Sequence, residues 1–86
     1  MTQIVFIEAP PLAAVTMRQA RLALLQIGQL AAVEAAIEAM PEPARTAARI
    51  TWDYSSVVER GNPLVLQLGP ALGLDLDALF AQAAVL

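Results

Sequence analysis

An 86-residue chain that is 58% apolar, has a net charge of −3 and holds only five cations, all arginine, makes one small domain with no basic excess for gripping a phosphate backbone. It contains no histidine, cysteine or lysine, so the side chains that most often move protons near neutral pH, form disulfides or ligate zinc are missing. That balance excludes a disulfide framework, argues against an enzyme, a metal centre, a cofactor site or nucleic-acid binding, and favours a part that packs against other parts.

The first element is a strand. Gln3–Glu8 reads Q-I-V-F-I-E, four β-favouring residues between polar ones, and Ala9-Pro10-Pro11 stops it. Its backbone groups need a mate, and no second convincing strand follows. One reading has Ile4, Val5, Phe6 and Ile7 pairing in trans with a partner's sheet. The other lays them as an apolar tail over the chain's own helices.

Everything afterwards reads as helix. Thr16-Met17-Arg18-Gln19 is a capping box that opens the first helix, and Gly28 ends it. Met17, Ala20, Ala23, Leu24 and Ile27 form its core stripe, with Gln19 and Gln26 facing water. Leu22 and Leu25 fall on the flank beside Arg18 and Arg21. The second helix covers Leu30–Met40, with Leu30, Val33, Ile37 and Met40 on the buried face and Glu34 and Glu38 as a wet ridge. After the Pro41-Glu42-Pro43 turn, a third helix runs from Pro43 to Val58, burying Ala47, Ile50, Tyr54, Val57 and Val58. Trp52 lies opposite, with Arg45, Arg49 and Ser56. Alternation of Ile50, Trp52 and Tyr54 with Thr51 and Asp53 leaves a strand over Ile50–Val58 as the competing reading. Asn62-Pro63 opens a fourth helix that Gly69-Pro70 should kink or split and Gly73 ends. Asp75 caps a short last helix through Leu76, Leu79, Phe80, Ala83 and Val85.

These elements give a mainly α fold: a small bundle of four to five short helices (residues 12–86) preceded by an extended arm (residues 1–11). A chain this short buries only about 60% of its unfolded surface. With a mean hydropathy of +0.61, it should show apolar patches that an oligomer or a larger assembly would cover. The competing explanation is that alanine methyl groups inflate the hydropathy. Gln26, Gln29, Glu34, Glu38, Gly69, Pro70, Asp75 and Asp77 interrupt the apolar runs, so no membrane span is expected.

Candidate contact residues follow from what the core does not absorb. Trp52 with Arg45 and Arg49 combines residue types enriched at interface hot spots, unless an orthogonally packed helix buries that side. Leu22 and Leu25 form a second candidate surface, or pack within the bundle. Asp75 and Asp77 are most simply helix caps, and Ser55-Ser56 lacks a base.

Four ordered segments between Val15 and Leu86 carry a resemblance. They are M-x-Q-A-R-x-A-L-L (Met17, Gln19, Ala20, Arg21, Ala23, Leu24, Leu25), W-x-Y (Trp52, Tyr54), R-x-x-P-L-V (Arg60, Pro63, Leu64, Val65) and L-G-L with L-D-x-L-F (Leu72, Gly73, Leu74; Leu76, Asp77, Leu79, Phe80). Together they resemble small helical proteins and terminal domains encoded with the tail-fibre and baseplate genes of tailed bacteriophages and prophages. Asp75 standing directly before Leu76-Asp77 shortens the approach to the last helix relative to that pattern. The resemblance implies a non-enzymatic virion part, assembled in the bacterial cytoplasm and located in the tail. Its partners would be fibre or baseplate proteins, with homo-oligomeric or threefold arrangement. A transient fibre assembly factor and a small helix-turn-helix regulator are the alternatives.

Overall fold

The computed structural model describes residues 14–86. The strand expected at Gln3–Glu8 and the arm boundary at residue 11 lie outside them. The described chain runs β1 (Ala14–Thr16), α1 (Met17–Gln26), α2 (Leu30–Glu38), α3 (Ala44–Tyr54), β2 (Val57–Glu59), α4 (Pro63–Ala71) and α5 (Leu76–Ala83). It is mainly helical, with β1 and β2 forming one short antiparallel ladder in which Val15 faces Val58.

Local chemistry sets the helix ends. Thr16 accepts the Gln19 amide at 3.0 Å while the Gln19 side chain accepts the Thr16 amide at 2.9 Å, the reciprocal cap expected from sequence. Past α1 the Gln29 amide reaches the Leu24 carbonyl (2.8 Å) and the Gly28 amide the Leu25 carbonyl (3.1 Å). This Schellman turn needs the positive φ of +74° that Gly28 adopts. The same turn recurs after α4, where Leu74 donates to Gly69 and Gly73 (φ +67°) to Pro70. Asn62 and Asp75 cap α4 and α5 as expected. Pro70 stands inside α4, which continues to Ala71.

Two groups of buried side chains meet on α1. Leu24 joins Val33, Ile37, Met40, Ala48, Trp52 and Leu68, whereas Ala23 joins Val15, Phe80 and Ala83. Small Ala23 and Ala83 are fully buried, and they let α1 and α5 approach closely.

The third helix departs from expectation in length and in phase. It stops at Tyr54, Ser55 turns to extended backbone (φ −77°, ψ 134°), and the following residues form β2. Here the β-branched Val57-Val58 pair finds what the sequence did not reveal, a mate in Val15 of β1. The buried face of α3 is Ala48 and Trp52, and Ile50 and Tyr54 point to solvent. The indole has more area to hide than any other side chain in the chain, and an 86-residue core cannot leave it out. Ile27, expected in the core stripe, is α1's C-cap residue and is exposed.

Candidate interaction surface

Trp52 is 6% exposed and organises three helices. Its Nε1–H donates to Glu34 of α2 at 3.3 Å. The Arg21 guanidinium of α1 stacks 4.3 Å from the ring centroid and donates to the Trp52 carbonyl. Asp53 lies 3.9 Å from Arg21 and 3.8 Å from Arg49. Arg49 also bonds Glu38, and this contact raises its pKa above the ordinary value, with the Asp53 and Glu34 charges adding to the shift. Glu38 is exposed and Glu34 half-buried, and the ridge they form is also the α2 half of a polar seam with α3.

Arg45 bonds Glu42, its neighbour in the turn before α3. Glu42 also accepts from the Thr46 hydroxyl and amide. These Thr46 bonds, ahead of the Arg45 ones, hold its carboxyl below the ordinary range. At the far end, Arg60 bonds Asp77 and ties the turn before α4 to α5.

The structure gives Trp52 the second of its two expected places, in the core, and leaves Arg45 and Arg49 partly exposed. The indole is core, and both arginines bind acids of their own chain. Of the second candidate pair, Leu22 is half-buried and Leu25 is 61% exposed. Ile4, Val5, Phe6 and Ile7 lie outside the described residues.

What the fold offers outward is the stripe that periodicity had assigned to the core. Ala47, Ile50 and Tyr54, at i, i+3 and i+7 on α3, are all exposed, Ile50 to 54% and Tyr54 to 82%, and Val57 follows them at 48%. One face of a helix carrying an isoleucine and a tyrosine in water is a surface suited to protein contact. Leu25 and Ile27 extend the exposed apolar area at the end of α1.

A cavity of about 80 Å³, partly open to solvent, is lined by Leu24, Val58, Val65, Leu68, Leu79 and Phe80 among others. Thr51, Ser55 and Asn62 supply its polar edge, and no charged side chain lines it. Among the described residues no group of three or more acids could hold a metal ion, and no single helix is long and apolar enough to cross a membrane.

The chain matches no protein-family model, no curated protein and no solved structure.

Proposed function

We propose that this chain is a non-enzymatic structural part of a bacteriophage tail that attaches or braces a fibre or baseplate protein. The exposed Ala47–Ile50–Tyr54 face of α3 is the observation that carries the reading, because it gives an attachment part an apolar surface its own fold leaves uncovered. The resemblance of Met17–Leu25, Trp52–Tyr54, Arg60–Val65 and Leu72–Phe80 to tail-associated proteins supplies the partner class. Strand addition by residues 3–8 to a partner's sheet belongs to the same mechanism. Several copies around a threefold fibre, in the tail of the particle, complete it.

A helix-turn-helix regulator is the reading that one observation favours in its place, since α1 and α2 meet at 110° across a short glycine turn. The outward positions of α2 are Ala31, Ala35 and Glu38, which give a phosphate backbone nothing to bind.

Mass spectrometry of purified particles tests the proposal. The chain is expected in the tail fraction at a fixed ratio to a fibre or baseplate protein. Its absence from particles overturns the structural role and favours a transient assembly factor. A salt-sensitive DNA mobility shift would support the regulator instead.

A further inference from the structure

The cavity is lined in part by Met17, Val57 and Val58, which adjoin β1, where the described chain begins. Ala14 stands opposite Glu59, and two residues further on Thr16 stands opposite Val57. Val57 is the most exposed residue of the cavity lining, and half-buried Thr51, Ser55 and Asn62 accompany it. We propose that this cavity is the seat of one aliphatic side chain from Ile4–Ile7 of the same chain.

Size, chemistry and reach favour that occupant. About 80 Å³ is roughly half the cavity known to hold benzene, so the space suits a branched aliphatic group better than a ring. Ile4, Val5 and Ile7 qualify, and Phe6 does not. The lining carries no charged side chain that burying such a group would strip of water. Ala14 lies seven positions after Ile7, enough for about 23 Å of extended chain. A tether this short holds the segment at an effective concentration in the mM range, which a second copy at micromolar concentration cannot match. An open pocket under α4 leaves apolar wall in contact with water, a loss that a small domain has few means to replace. Seating in cis and strand addition in trans compete for the same residues, so a partner's sheet would draw the segment out.

The inference does not depend on the tail reading, because it is tested on the isolated full chain. Methyl-labelled protein should show nuclear Overhauser contacts from Ile4, Val5 or Ile7 to Leu24, Val65 or Leu79. Mixing differently labelled chains should show these contacts to be intramolecular. Absence of the contacts, or contacts only between chains, overturns the proposal. Replacing Ile4, Val5 and Ile7 together by serine should lower the Tm by about 5–10 °C. It should also let xenon shift the Leu24 and Val65 methyl resonances, as it does not in the unmodified chain. Equal xenon response in both proteins, or an unchanged Tm, likewise overturns it.

Discussion

The Arg21 guanidinium lies 4.3 Å from the centroid of the Trp52 ring and bonds the carbonyl of the same residue, so one side chain of α1 holds both the face and the backbone of a residue in α3. Lysine keeps the charge but neither the planar stack nor the fork. Arg21→Lys and Arg21→Ala are therefore expected to cost similar amounts, about 1–2 kcal/mol. Urea unfolding followed by the fluorescence of Trp52, the chain's single tryptophan, measures both. A lysine variant as stable as the parent would show that charge alone matters.

Trp52 itself should separate packing from hydrogen bonding. Trp52→Ala empties the centre of the larger core group and should cost about 3–5 kcal/mol, most of what a domain of this length has in reserve. Trp52→Phe keeps most of the ring and loses the bond to Glu34, which is half-buried and can turn to water. It should cost about 1 kcal/mol for the bond, plus a smaller packing loss. Circular dichroism and urea midpoints distinguish the two. A folded alanine variant with unchanged stability would remove Trp52 from the core.

Much of this fold was legible in the sequence, because each signal acted locally. The Thr16–Gln19 capping box, the Gly28 and Gly73 stops, the Asn62 and Asp75 caps and the Val33–Ile37–Met40 face all depend on residues within a turn or two. What escaped depends on distant partners. Val57 and Val58 become a strand because β1 arrives from 43 positions earlier in the Val15–Val58 pair, and the pattern of α3 gave no sign of that. The periodicity of α3 was right and its phase was wrong. Ile50 and Tyr54 make one apolar stripe and Ala48 and Trp52 another, and only Arg21, Glu34 and Glu38 from other helices decide between them. The size of the indole, with arginine stems able to lie along a buried face, was the available clue. The outward stripe was assigned to the core for the same reason: Ile50 and Tyr54 are exposed where Trp52 is buried, while Leu25 is exposed on the flank where it was placed.

The outer face of α3 should be separable from stability. Ile50→Ser with Tyr54→Ser changes exposed positions and should alter the unfolding free energy by no more than about 0.5 kcal/mol. On the proposed tail role, the same variant should be lost from particles purified after complementation. Normal incorporation would move the attachment surface elsewhere, and global unfolding would show the face to be part of the core.

Gly69 has a tight neighbour. A Cβ there would lie 2.7 Å from Cδ1 and 2.9 Å from Cγ of Leu76. Alanine gains about 1 kcal/mol of helix propensity. Moving the branched head of Leu76 costs more, so Gly69→Ala is expected to destabilise by a net amount of about 1–2 kcal/mol. In a Leu76→Ala background the clash disappears, and the added Gly69→Ala should then be neutral or stabilising. Additive losses in the double-mutant cycle would place the cost elsewhere.

Glu42 makes the turn before α3 sensitive to acid. Its carboxylate accepts the hydroxyl and amide of Thr46 and pairs with Arg45, and these contacts hold its pKa below the ordinary 4.5. Folding therefore favours the ionised form, and the contribution is fully present above pH 4.5. It falls as pH drops below that value and is gone once pH passes below the lowered folded pKa. Glutamine mimics the protonated acid, so Glu42→Gln should lower the urea midpoint relative to the parent by a constant amount between pH 7 and 5. The gap should close as both proteins are taken toward pH 2.5. Other carboxylates titrate in both proteins and cancel in the difference. A gap that persists undiminished at pH 2.5 would mean that the carboxylate charge contributes nothing to the cap.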